Sequence, residues 1–310
     1  MPAEIFGERY DFLPKPEILS FEEIIRLAGL FVGLGVTKLR ITGGEPLLRA
    51  QLPSLIERLA ELPGGPDIAL TTNAYLLEAR AETLQKAGLR RVTVSLDGHD
   101  EETFRAMSGR ETSLDRVMAG IAAAEAAGLT PLKINCVVRR GVNEHAILPL
   151  AEHFRGSGHI LRFIEFMDVG TRNGWDLSQV VTAEEIVGQL DGTFGLEPVE
   201  ANYSGEVAKR FRYSDGEGEI GVIASVTRPF CGDCTRARIT ADGRLVTCLF
   251  SDVGVDLKAP LRDGSSDEEI FERIRGVWRG RQDRYSELRS AETGLSSASR
   301  NKIEMFQVGG

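Results

Sequence analysis

Four short segments between residues 37 and 138 carry polar side chains at every second position, and each follows a stretch with helical periodicity. The polar sets are Lys38, Arg40 and Thr42; Thr71 and Asn73; Thr93, Ser95 and Asp97; and Lys133 and Asn135. Strand side chains alternate between faces, so each set points to one side of a sheet. The opposite set, Leu39/Ile41, Val92/Val94/Leu96 and Ile134/Cys136, is apolar and suited to packing against helices. Helices are expected near 20–34, 51–62, 78–87, 100–107, 113–127 and 144–155, with strands at 37–42, 67–72, 91–96, 132–138 and 160–165. Ser20 and Glu23 have capping-box spacing, and Gly35, Gly88 and Gly128 follow helix ends. Such alternation gives parallel strands joined by right-handed crossovers. A barrel lumen is ordinarily packed with branched apolar side chains. A cationic lumen costs too much to bury empty, so the pattern predicts a partly open, ligand-filled barrel rather than an open sheet with one solvated face.

After Glu165 the pattern changes. Residues 168–178 read as a long loop, 182–190 as a helix, and 207–213, 219–226, 236–240 and 244–249 as short strands. A helix near 267–280 and a polar tail ending Gly309-Gly310 close the chain. The expected division is a partial barrel over 1–195 and a smaller α+β domain over 196–310. The 310 residues carry a net charge of −9, which argues against a broad nucleic-acid footprint. No long uncharged apolar run predicts a membrane span, and a cytoplasmic protein is expected.

Three of the four cysteines cluster as Cys231-Gly-Asp-Cys234, with thirteen residues before Cys248. In a reducing compartment such a trio reads as metal ligands. All four histidines, His99, His145, His153 and His159, lie in the first half. An iron–sulfur cluster with one open iron fits best; zinc with a remote ligand and plain reduced thiols are the alternatives. Arg236 and Arg238 stand beside the trio, where they could hold an anion. Cys136 faces the helices and reads as a buried, inert apolar residue. Gly43-Gly44-Glu45-Pro46 follows the first strand, where barrel sites form, and Glu45 could accept from an ammonium group. Lys133, Arg162 and Arg40 fall at positions suited to an anion clamp, and Glu165 is expected to pair with one of them. A third reading is a zinc-containing barrel lyase with Lys133 as a Schiff-base lysine.

Together, Cys231-x-x-Cys234-Thr-Arg236-Ala237-Arg238 with Cys248, Arg40-Ile-Thr-Gly-Gly44-Glu-Pro, Thr71-Thr-Asn, Val94-Ser95-Leu-Asp97 and Arg162-Phe-Ile-Glu-Phe-Met167-Asp-Val-Gly resemble the MoaA-type GTP cyclases, radical-SAM enzymes that begin molybdenum-cofactor synthesis. The resemblance covers essentially the whole chain. It implies an incomplete parallel radical-SAM barrel and a C-terminal domain whose 4Fe–4S cluster, held by Cys231, Cys234 and Cys248, binds GTP. By the same resemblance Gly44, Ser95 and Met167 hold S-adenosylmethionine, and Arg40, Thr71, Lys133 and the stretch Arg236, Ala237 and Arg238 hold GTP. Gly309 and Gly310 match the family's tail that reaches into the active site. The implied reaction takes hydrogen from the GTP ribose with a deoxyadenosyl radical, and ring closure onto the purine gives cyclic dihydro-GTP. An external electron donor and a downstream cyclic pyranopterin monophosphate synthase are the implied partners, and the sequence leaves room for a homodimer. The family's Cys-x-x-x-Cys-x-x-Cys loop, which binds a second 4Fe–4S cluster, precedes a Met-Pro-x-Glu stretch, and here Met1-Pro2-Ala3-Glu4 opens the chain. The expectation is that Met1 is an internal methionine of a longer chain with that loop and the first barrel strand. The alternative is a short form that binds GTP without turnover.

Overall fold

A computed structural model describes residues 13–109, 113–170, 173–291 and 303–308. Helix α1, Phe21–Gly33, starts at the Ser20/Glu23 capping box, with the Ser20 hydroxyl accepting from Glu23 N and the Glu23 carboxylate from Ser20 N. Then follow β1 (Lys38–Ile41), α2 (Leu52–Ala60), β2 (Asp67–Thr72), α3 (Ala81–Lys86), β3 (Arg91–Ser95), α4 (Glu101–Ser108), α5 (Leu114–Ala126), β4 (Lys133–Val138), α6 (Ile147–Phe154) and β5 (Ile160–Glu165). The expected helix at 144–155 is split: a 3-10 turn, Glu144–Ala146, precedes α6.

Five consecutive strands pair in parallel in the order β1-β2-β3-β4-β5. The sheet continues past the expected division at residue 195. After α7 (Ala183–Phe194) come β6 (Leu196–Val199), β7 (Lys209–Tyr213) and β8 (Glu219–Ile223). β8 adds in parallel to β5, and β7 and β6 follow antiparallel. β6 went unrecognised in the sequence because it contains Pro198, which an edge strand tolerates. Among the described residues β1 and β6 end the sheet unpaired with each other, yet Lys38 Nζ lies 5.3 Å from the ring centroid of Tyr203, just beyond β6. The sheet therefore curls until its edges nearly meet, an open barrel.

The apolar parity residues Val92, Val94, Leu96, Ile134, Cys136, Leu161 and Phe163 are buried in one core with α2, α3, α5, α6 and α7. Burial of Cys136 pushes its thiol well above its ordinary range, which keeps it protonated and inert.

A second small sheet, β11-β10-β9, is built from β9 (Arg238–Ile239), β10 (Arg244–Val246) and β11 (Val255–Asp256). With α8 (Lys258–Arg262) and α9 (Asp267–Arg279) it closes a second core of Leu19, Leu27, Leu245, Leu257, Ile270 and Ile274 against α1. Arg26 Nε meets Asp267 at 2.7 Å and Arg262 Nε meets Glu23 at 2.6 Å across that seam. Two more helices, α10 (Tyr285–Ala291) and α11 (Met305–Val308), occupy the stretch expected to be a polar tail. No helix among the described residues is long and apolar enough to cross a membrane.

Candidate active site

The expected S-adenosylmethionine residues sit at one end of the parallel sheet: Gly44 follows β1, Ser95 ends β3 and Met167 lies just past β5. Gly43 has φ +131°, a conformation that a side chain would strain, which lets the chain turn sharply out of β1. Glu45 holds this turn to the end of β2. Its Oε1 accepts from Thr72 Oγ1 at 2.7 Å and Leu47 N at 3.0 Å, and its Oε2 from Asn73 N at 2.8 Å. A carboxylate has about four lone-pair sites, so about one is left for an ammonium donor. Asp97 Oδ1 accepts from Val137 N at 2.8 Å, and burial raises its pKa to about 6 against that hydrogen bond.

The cations expected for GTP lie deeper. Arg40 donates to Thr71 Oγ1 at 3.4 Å. Arg162 is 8% exposed and donates from Nε to Asn135 Oδ1 at 2.9 Å. It crosses β8 at Gly221, where an added Cβ would lie 3.0 Å from Arg162 Cγ. Burial, then the Arg40 charge, lowers Arg162 to about 10. Burial, then Arg162, Lys38 and Arg40, lowers Lys133 to about 8. Arg238 falls to about 10 through burial and the neighbouring Arg236, with Arg40 adding to the effect. Arg40 is exposed to solvent yet shifted downward mainly by burial, the condition of a group inside a walled, open chamber. Lys38, Arg40, Lys133, Arg162 and Arg238 thus each meet a neighbouring cation that raises the cost of charging, an arrangement that a polyanion relieves. A cavity of about 460 Å³ at the strand starts is lined by Lys38, Arg91, Lys133, Tyr203 and Arg210. A second cavity of about 220 Å³, beside Thr240, Asp242 and Gln307, holds none of the expected site residues.

Glu165 corrects an expectation. Among the described residues it pairs with no cation but accepts from Ala183 N (2.7 Å), Val226 N (2.7 Å), Thr227 N (2.9 Å) and the Thr227 hydroxyl. Residues 162 and 165 differ by an odd number, so they face opposite sides of β5.

All three clustered thiols are free and partly buried. Arg236 Nη2 lies 3.4 Å from Cys234 Sγ, and its guanidinium is 5.3 Å from the Phe230 ring centroid. Burial raises the Cys234 thiol, but Arg236 and Arg281 outweigh it and bring it down to about 7. Cys248 is raised by burial. Arg236 Nε is buried with no hydrogen-bond partner among the described residues. Three soft sulfur donors, one already tuned toward thiolate, and an unsatisfied Nε on Arg236 fit an iron–sulfur group with an anionic ligand beside it. Ala237 is exposed between the two arginines, and Gly309 and Gly310 lie outside the described residues. The sequence did not single out Arg281 or Tyr203, which lie in stretches without periodicity or motif.

The profile of the Radical SAM superfamily matches residues 6–154, and that of Molybdenum Cofactor Synthesis C matches 159–287. Over all of this chain it is 52% identical to the GTP 3',8-cyclase of Xanthomonas campestris pv. campestris (strain B100), covering 89% of that protein. It is 50% identical to that of Acidothermus cellulolyticus, covering 87%, and 45% identical to that of Staphylococcus saprophyticus subsp. saprophyticus, covering 91%. Native anSMEcpe with bound AdoMet shares the fold, with a TM-score of 0.53 at 16% identity over 86% of this chain and 76% of that one. The chain belongs to the GTP 3',8-cyclases, a family of radical SAM enzymes.

Proposed function

We propose that the chain converts GTP to (8S)-3',8-cyclo-7,8-dihydroguanosine 5'-triphosphate, the first step of molybdenum-cofactor biosynthesis, in the cytoplasm. The observation that carries this reading is the convergence of barrel cations with the arginines beside the thiol trio: the Arg40 charge reaches Arg238, and the Arg236 charge reaches Arg40. Residues 1–195 are proposed as the partial barrel, and 196–310 as the unit that completes its sheet and carries the cluster. Radical SAM membership implies a 4Fe–4S cluster and S-adenosylmethionine, which supply the hydrogen-abstracting oxidant when bound. Gly44, Ser95 and Met167 are proposed to hold S-adenosylmethionine at the strand ends, with Glu45 offering its remaining lone pair to the amino group. Lys133, Arg162, Arg40 and Thr71 are proposed to hold the triphosphate and ribose, and Arg236 and Arg238 to orient the nucleotide toward the thiol trio. Cys231, Cys234 and Cys248 are proposed as ligands of a C-terminal 4Fe–4S cluster. An external electron donor and the synthase that receives the cyclic product are the proposed partners. A nucleotide binder without turnover and a zinc-containing lyase find no support in the relatives.

The test is anaerobic reconstitution with iron and sulfide of the longer chain expected to carry the Cys-x-x-x-Cys-x-x-Cys loop ahead of Met1, since the three clustered cysteines of these 310 residues supply ligands for the C-terminal cluster alone. GTP consumption that requires S-adenosylmethionine and a reductant is expected, and its absence in cluster-loaded protein counts against the reaction. Cys234→Ala is expected to lower iron by about four atoms per chain, one 4Fe–4S cluster. Unchanged iron would remove the ligand assignment.

A further inference from the structure

We propose that His99, Asp100 and His145 form a binding site for one divalent cation of the zinc class, separate from the thiol trio. One donor atom from each of the three lies within 4.8 Å of the others. His99 and Asp100 belong to the turn between β3 and α4, and His145 to the 3-10 turn after β4.

Buried hydrogen bonds fix these two turns together. Asn143, 0% exposed, donates from Nδ2 to the carbonyl oxygens of Asp97 and Val137, both at 2.8 Å. On that frame, Asp100 Oδ1 caps α4 by accepting from Thr103 N at 2.8 Å. Its Oδ2 faces outward, 3.2 Å from His99 Nε2 and 2.8 Å from the Thr103 hydroxyl. That hydroxyl lies 2.9 Å from His145 Nε2. The imidazoles stand edge to face, 5.9 Å between centroids, so neither ring shields the other's nitrogens.

Two imidazole nitrogens and one carboxylate oxygen are a donor set suited to zinc and its neighbours, with a fourth position left for water. It is too rich in nitrogen for calcium or magnesium, which take oxygen cages. Tetrahedral zinc with bonds of about 2.0–2.1 Å needs donors about 3.3 Å apart, so the widest pair must close by up to about 1.5 Å, while His99 Nε2 and Asp100 Oδ2 already stand 3.2 Å apart. The side chains can move that far, since those of His99 and Asp100 are 31% and 42% exposed. The cation would replace the Thr103 hydroxyl as the link between Asp100 and His145. It would thereby tie the turn after β3, which follows Ser95, to the turn after β4.

Calorimetric titration of zinc chloride into anaerobic, cluster-loaded protein tests this. About one equivalent is expected to bind with micromolar affinity, and zinc-edge X-ray absorption is expected to show nitrogen and oxygen neighbours only. His145→Gln, which keeps a partner for Thr103, and His99→Gln are each expected to weaken binding at least about 10–100-fold with iron content unchanged. Binding unaltered in both variants, affinity no tighter than millimolar, or sulfur neighbours at about 2.3 Å would each overturn the site.

Discussion

Arg281 Nη1 donates a 2.5 Å hydrogen bond to the carbonyl oxygen of Cys234, 47 positions earlier in the chain, while its Nε meets Asp283 Oδ2 at 3.0 Å. Its side chain is 12% exposed and stacks near Trp278, 5.0 Å from the ring centroid. A charge-assisted bond to a loop carbonyl is worth about 1.5–3 kcal/mol, so this guanidinium fixes the thiol loop as well as drawing the Cys234 thiol toward thiolate. Glu287 adds a second tie by accepting from Gly232 N at 3.2 Å.

Arg281→Met keeps the stem and removes both effects. Iron retained after anaerobic reconstitution is expected to fall by about half or more with an unchanged far-ultraviolet circular dichroism spectrum. Full iron content in the variant would show that the loop holds its shape without the arginine.

Arg238 is expected to contribute to GTP affinity as a charge-assisted donor. Arg238→Ala should weaken binding by about 1.5–3 kcal/mol, roughly 10–150-fold, while Cys231, Cys234 and Cys248 keep their iron. Equilibrium dialysis with GTP on the loaded protein decides it, and equal affinity removes Arg238 from the anion clamp.

Lys133 sets a pH dependence. Its amine is held at about 8, chiefly by burial and then by Arg162, Lys38 and Arg40. A bound triphosphate favours the ammonium and raises that value, so affinity is flat below pH 8 and falls as pH rises above it. At pH 8 binding is expected to take up about half a proton at this residue. Calorimetry in buffers of different ionisation enthalpy measures the uptake, and Lys133→Met should lose it; the same uptake in the variant would place the proton elsewhere.

Glu165 is a structural residue. Glu165→Gln turns a carboxylate oxygen that accepts backbone N–H groups into a donor facing donors. Unfolding in urea is expected to show a loss of about 2–4 kcal/mol, the scale for buried polar groups left unmatched. A loss under about 0.5 kcal/mol would mean that the turn at Ala224–Thr227 finds other partners.

The strands β1, β3 and β4 were legible because one face of each is apolar and the other polar, and β2 and β5 because short, largely apolar runs stand between helical stretches. Val92, Val94, Ile134 and Cys136 fell on the core side as their parity required. β6 was not legible, since four residues containing a proline carry too little pattern. Neither was α10, a helix of seven residues with no periodicity long enough to read, nor Arg281, which lies in the short connection between α9 and α10.

What the sequence determined by itself is local: strand parity, helix caps, the spacing of Cys231, Cys234 and Cys248, and thereby the family. What tertiary structure decided is which distant groups share a space. Curling of the sheet brings Lys38 to Tyr203, the odd step from Arg162 to Glu165 sends one to the chamber and the other to the core, and the segment after α9 returns Arg281 to Cys234. Those pairings depend on how layers pack over tens of residues, and free energy of that kind leaves no mark on neighbouring positions in the chain.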